Sequence, residues 1–340
     1  MDIVLHLADE YVLDKAWAAL LPMSAFTANA TGLYNATSHV APVAASQPSA
    51  WSQLISYIPH PVPEQTLASP LHTVGQLASA WPRDYLPRQV ISLFILTFAG
   101  IHVLYFLFAT LSYYFIFNHD MMKHPRFLKN QVKLEIQCSL RAFPLMILYT
   151  LPWFLGEVRG HSRLYDNVGD FGWGYLVFSS FFFLVFTDYL IYWIHRWEHL
   201  PIFYKWLHKP HHKWLIPTPF ASHAFHPLDG YVQSLPYHMF IYLFPIQRTL
   251  YLCLFVFVNF WSIFIHDSDM ITGHPLEKII NGPAHHTLHH LYFTVNYGQY
   301  FTWADRMGNS YRQPEAALDP MLDIKAAEAK KQKAALGKEQ

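Results

Sequence analysis

Histidine carries the most visible chemistry in this chain. There are 22 among 340 residues, and fourteen of them fall between His195 and His290. Three runs stand out: His195-Arg-Trp-Glu-His199, His208-Lys-Pro-His211-His212 and His286-Thr-Leu-His289-His290. On a helix, residues three and four apart share a face, so each run aims two or three imidazoles into one volume. At this histidine frequency chance supplies about one H-x-x-x-H in the chain but only ~0.1 H-x-x-H-H. The first run alone is weak; two copies of the rarer pattern are strong. Eight imidazoles exceed the three or four ligands that one zinc ion takes. They suit two metal ions with positions left open for substrate or oxygen. Imidazole accepts zinc, copper and iron alike, so ligand type does not name the metal.

A further polar set lies close by in sequence: Ser222, His223, His226 and Asp229, then His266 and Asp267. The other histidines read differently. His6, His39, His60, His72, His102, His119, His124 and His161 read as interfacial, His238 and His274 as structural, and His285 as a residue that orients a neighbour.

The elements that must position these groups cross a membrane. Hydrophobic residues make up 53% of the chain and charged residues 14%, against about 25% charged in an ordinary soluble protein. Aromatics at 17% suit a surface that meets lipid and headgroups. Lys+Arg and Asp+Glu tie at 23 each, so no nucleic-acid partner is expected. Cys138 and Cys253 both sit in apolar stretches, which excludes a disulfide scaffold and a cysteine-based zinc module. Hydropathy predicts spans at about 90–117, 138–157 and 172–194, and a bent helical hairpin over 231–265 interrupted by Pro236, Pro245 and Arg248. The expected fold is all-α: a polytopic membrane helical bundle with a histidine-rich di-metal cap. Residues 1–87 form a separate amino-terminal region, 88–315 the membrane domain, and 316–340 a charged tail. Ile3, Val4, Leu7, Tyr11 and Val12 recur at helical spacing, which reads either as an amphipathic helix on a membrane surface or as an ordinary capping helix.

The loop between spans one and two holds Lys123, Arg126, Lys129 and Lys133 against Asp120 and Glu135. By the positive-inside rule it is cytoplasmic. The third span then brings the chain back to the cytoplasm near Tyr192, and a hairpin returns it to the side it left. All three histidine runs therefore meet on the cytosolic face, with the amino terminus on the far side, where sequons at Asn29 and Asn35 are allowed.

Three function classes compete for such a site. A membrane zinc hydrolase wants H-E-x-x-H, and Glu198 stands in the wrong place for it. A metal transporter would place its ligands at the bilayer midplane within broken spans, whereas these gather just beyond helix ends. A redox enzyme needs an oxygen-activating metal beside a greasy pocket, and a cluster at the membrane boundary supplies that.

The three runs, with this membrane arrangement, resemble the fatty acid hydroxylase superfamily of integral membrane non-haem di-iron enzymes. Long strings narrow the likeness to its fungal sterol C-5 desaturases: Leu207 through Leu215, Thr218 through Gly230, Asn281 through Phe293, and Asn296 through Tyr300, then Asp305-Arg306. The resemblance covers about residues 88–315. It implies removal of two hydrogens across C-5 and C-6 of a delta-7 sterol, with two non-haem iron ions and O2 as oxidant. Electrons would come from NAD(P)H through a reductase and cytochrome b5, in the endoplasmic reticulum membrane. It implies as metal ligands His195, His199, His208, His211, His212, His286, His289 and His290, with His226 and His266 either as further ligands or as partners that hold the ligands in place. Asp229, Asp267 and His223 would hold imidazole N–H groups. Thr287 either faces substrate or bound oxygen or fills the helix. Arg196, Lys205, Lys209 and Lys213 form a basic rim that either docks cytochrome b5 or anchors the chain at headgroups. The same metal core serves sterol C-4 methyl oxidases and fatty acid 2-hydroxylases, so the histidines alone do not select the product.

Overall fold

The computed structural model describes residues 1–23, 50–55, 57–61 and 79–336. Asn29, Asn35, His39 and His72 lie outside the described residues. The described chain is helical, with two strands of two residues each, and it divides into compact units at Met1–Leu96 and Thr97–Gln340.

In the first unit, α1 (Asp2–Ala8) and α2 (Asp14–Leu20) are joined by one π-helical turn. A short helix, α3, covers Ala50–Ile55, and α4 runs Leu86–Phe115. Leu5, Trp17 and Ala18 are buried, while Leu7, Tyr11 and Val12 are exposed. Hydropathy did not anticipate the buried ion pair between Asp9 and Arg88, 2.6 Å apart. Arg88 also reaches Asp14, and the Trp17 indole donates to Ser92 at 3.0 Å. These contacts tie the first turns of α4 into the amino-terminal unit, which runs to Leu96. Pro87 is harmless in the first turn, where backbone N–H groups have no intrahelical partner.

Among the described residues four helices are long and apolar enough to cross a membrane: α4, α5 (Gln131–Val158), α6 (Gly172–Glu198) and α8 (Arg248–Ile265). The second begins seven residues before the predicted 138. Lys133 and Glu135, read as loop charges, are helical. Glu135 is fully buried and accepts from Gln131 Nε2 at 2.7 Å, from the Thr218 amide at 3.3 Å and from the Thr218 hydroxyl. Tertiary partners make a carboxylate tolerable there that hydropathy alone would expel.

The fourth apolar region is two helices, α7 (Pro227–Leu243) and α8, meeting at Phe244–Gln247. At that break β2 (Ile246–Gln247) pairs in parallel with β1 (Leu164–Tyr165), Leu164 opposite Ile246. Arg248, read as an interruption, opens α8 and pairs with Asp166 at 2.6 Å. Each arm rises only ~26 Å, short of the ~30 Å hydrocarbon core.

Buried positions on α6 follow helical spacing: Ser179, Phe183, Thr187, Ile191, His195 and Glu198. Phe181, Val185, Tyr189 and Trp197 on the other face are exposed. Phe183 and Ile191 pack with Tyr237, Phe240, Ile241, Tyr251, Leu254 and Val258, which locks α6, α7 and α8 together. That packing sets where α6 ends, and therefore where His195 and His199 stand.

The carboxy-terminal stretch is not a free tail. It forms α11 (Met321–Leu336), after α9 (Pro283–Tyr292) and α10 (Trp303–Met307). Ile324 is buried with Phe117, Met121 and Ile216, and Asp323 lies 3.3 Å from His124. His124, read as interfacial, is buried by this contact.

Candidate metal centre

Nine imidazoles converge in two groups. The first holds His195, His199, His208, His212 and His289; the second holds His211, His266, His286 and His290. In each group the potential ligand atoms lie within 4.8 Å of one another. Short elements make this possible. His195 lies in the last turn of α6, His199 caps that helix, and a π-helical turn at Tyr204–His208 delivers His208. A 3-10 turn at His211–Lys213 points neighbouring imidazoles into different groups. On α9, His286 and His290 serve one group and His289 the other, since four residues repeat a face and three do not fully.

Hydrogen bonds on the outer ring nitrogens fix tautomers. His195 Nδ1 donates to the Tyr297 carbonyl at 2.9 Å, His289 Nδ1 to the Val295 carbonyl at 2.7 Å, and His266 Nδ1 to the Ser262 carbonyl at 2.6 Å. A carbonyl only accepts, so Nδ1 carries the proton and Nε2 presents a lone pair. His208 Nδ1 is held in the same way by Asp229 Oδ2 at 2.9 Å. Yet His195 Nε2 and His208 Nε2 stand 3.1 Å apart. Two lone pairs facing at that distance repel unless a cation lies between them. The other inner contacts are as close: His199 to His212 and His212 to His289 at 3.1 Å, His266 to His211 at 3.3 Å, His286 to His266 at 2.9 Å and His290 to His286 at 3.1 Å. The donor set therefore fits two metal ions.

Burial, reinforced by neighbouring imidazoles, pushes His199, His211, His212, His286, His289 and His290 well below the ordinary histidine range. Burial pushes His266 down to about 4. Neutral imidazole is the ligand form, so these residues stand in the protonation state that binds metal.

Other expected residues fall elsewhere. His226 is exposed at the N-cap of α7, accepting from the Leu228 amide at 3.3 Å, and joins neither group. Asp267 accepts its own turn's Asp269 amide at 3.0 Å instead of an imidazole. His223 lies between Ser222 and Asn259, at 3.0 and 3.4 Å. The Thr287 hydroxyl donates to the Asp269 carbonyl at 3.2 Å. His238 is buried beside Trp153, Phe154 and Phe255, and His274 caps a 3-10 turn. Lys205, Lys209 and Lys213 are exposed as a rim should be. Arg196 is instead committed to the Tyr192 hydroxyl and to the Gly308 carbonyl at 2.7 Å.

Two positioning carboxylates escaped the sequence reading. Asp188 Oδ1 accepts the backbone N–H groups of Gln299, Tyr300 and Phe301 at 2.9, 2.7 and 3.3 Å. Asp305 accepts from the Tyr297 and Gly298 amides at 2.9 and 2.8 Å. Together they place the Tyr297 carbonyl that orients His195. The available signal was a carboxylate inside a span, two helical turns before a box histidine.

A fatty acid hydroxylase family model matches residues 180–310, which contain all nine converging histidines. A delta(7)-sterol 5(6)-desaturase of Gibberella zeae is 49% identical, covering 94% of this chain and 92% of that protein. One of Aspergillus fumigatus is 48% identical, covering 97% and 95% respectively. Mouse lathosterol oxidase is 54% identical over 70% of this chain and 80% of that protein. No solved structure matches. With nearly its whole length aligned at about half identity and its histidines gathered as a metal centre would need them, the chain belongs to the fatty acid hydroxylase family, in its delta(7)-sterol 5(6)-desaturase branch.

Proposed function

We propose that the chain desaturates C5–C6 of a delta-7 sterol, with two iron ions held by the nine converging histidines. The carrying observation is the set of imidazoles whose outer nitrogens are tied to acceptors while their inner nitrogens face one another near 3 Å. The bonds to be broken are unactivated C–H bonds, beyond the reach of any side-chain base. Bound iron supplies the oxygen chemistry, and protein supplies position and a dry setting. Overall, two hydrogens leave the sterol, two electrons come from NAD(P)H through its reductase and cytochrome b5, and two protons come from solution, so that O2 is reduced to two waters. Lys205, Lys209 and Lys213 are the docking rim for that acidic donor, a loose electrostatic contact suited to a transient partner.

In this proposal the centre faces the cytosol at the endoplasmic reticulum membrane, with residues 1–87 on the luminal side. Protease added to sealed microsomes should spare that region and cut within the Lys330–Lys333 stretch. His195, His199, His208, His211, His212, His266, His286, His289 and His290 are the ligands. Thr287 ties the middle of α9 to the Asp269 turn.

Expression in a host lacking its own C-5 desaturase tests the reaction. A 5,7-diene sterol, visible by ultraviolet absorption, is expected. Accumulation of a hydroxylated sterol or a 2-hydroxy fatty acid would assign the chain to a sister activity.

A further inference from the structure

The two histidine groups differ in what stands behind them. In the five-histidine group, His208 donates from Nδ1 to Asp229 Oδ2 at 2.9 Å, and both residues are completely buried. Gln233 Nε2 donates to the other Asp229 oxygen at 2.7 Å, so the carboxylate is held from both sides. A second buried carboxylate, Glu198, lies 3.8 Å from the same His208 nitrogen. The four-histidine group has no such backing among the described residues. His266 rests on a backbone carbonyl, and the neighbouring Asp267 is spent on an amide. His195 and His289 also rest on carbonyls.

A carboxylate behind an imidazole fixes its tautomer and makes it a stronger donor than a carbonyl does. In a buried setting the full negative charge also acts on a nearby cation with little screening. From this asymmetry, and resting on the di-metal reading above, we propose that Asp229 is a positioning residue that holds His208 in its Nδ1–H tautomer and makes the five-histidine group the tighter of two unequal metal positions. The four-histidine group then fills second and empties first.

The test uses the full chain in lipid nanodiscs, stripped of metal, with ferrous iron added under anaerobic conditions and withdrawn by graded chelator. Iron per chain is counted after desalting. The wild type should release one equivalent at about 10–100-fold lower chelator than the other. In Asp229→Asn the tighter step should move down by about 10–100-fold while the weaker step stays, so the two merge. Gln233→Leu, which keeps the carboxylate but loosens it, should shift the same step less; it alone is read if Asp229→Asn does not fold. Glu135→Gln removes a buried carboxylate that touches no imidazole and should leave both steps in place. Release of both irons in one wild-type step, an unchanged profile in the Asp229 variant, or equal weakening of both steps would overturn the proposal. A wild type that never holds two irons would instead overturn the di-metal reading beneath it.

Discussion

The outward face of α6 and the histidine centre at its end are built on opposite principles. Along the outward face, Phe181, Val185 and Tyr189 are exposed and make no demand on the rest of the chain beyond being apolar. At the centre, His208, His289 and His290 are fully buried, and the outer nitrogens of His195, His208, His266 and His289 each have a named acceptor. One region tolerates any residue that lipid tolerates. The other works only if every acceptor and every carboxylate behind it is in place. One helix therefore carries a permissive and an unforgiving surface, and substitutions should sort by surface, not by position in sequence.

The sharpest break comes from the centre itself. His208→Ala or His289→Ala should each lower 5,7-diene formation by about 100-fold or more with protein still in the membrane. The double variant should be scarcely worse, because ligands of one unit are strongly non-additive. Near-normal product from both single variants would show that the imidazoles hold no metal.

Next come the residues that place the centre without touching it. Phe183→Ala should destabilise the chain by about 3–5 kcal/mol, as large buried truncations do. Asp188→Ala should cost about 3 kcal/mol, since it strands three backbone donors. Melting in detergent measures both, and product should fall alongside. Full stability in Asp188→Ala would mean that the loop at 299–301 is held by something else.

Acid should act on the same comparison. The buried imidazoles have folded pKa values below the ordinary ~6.5, so the folded state binds fewer protons than the unfolded one. Their contribution is intact above about pH 6.5 and is lost as pH falls further. The share from His266 is lost by about pH 4, and the imidazoles held lower go on losing theirs below that. Asp267, raised by burial to about 7, and Asp269 and Asp305, also raised by burial, run the other way, but the buried imidazoles outnumber them. Melting temperature and retained iron should therefore decline together from about pH 6.5 to about pH 4. A flat profile would contradict neutral buried ligands.

The smallest effects are expected outside the centre. Phe181→Ala should stay within about 0.5 kcal/mol of wild type, and His226→Ala, which removes a helix cap, should cost about 1 kcal/mol. His226→Ala should keep its iron, as that imidazole caps a helix.

How much of this was legible in the sequence follows from the same division. Spacing put the three histidine runs on display, since periodicity records which side chains share a face. The spans were legible as apolar stretches, but not their ends. The second helix begins inside a charged run because Glu135 is satisfied by Thr218, more than eighty residues away in sequence. His226 and His266 look alike as single histidines; only their backbone settings separate a cap from a converging imidazole. Asp188 went unremarked, and Glu198 and Asp305 were noticed without their positioning roles, because their partners are backbone amides and an imidazole brought near by folding. The charge-rich end hid a docked helix, since one buried isoleucine does not alter a hydropathy window.

The most direct measurement is the iron content of the purified full-length protein, counted per chain by elemental analysis after ferrous reconstitution and desalting. Two irons per chain are predicted, one for each histidine group. One iron or none, in protein that is folded and monodisperse, would contradict the account.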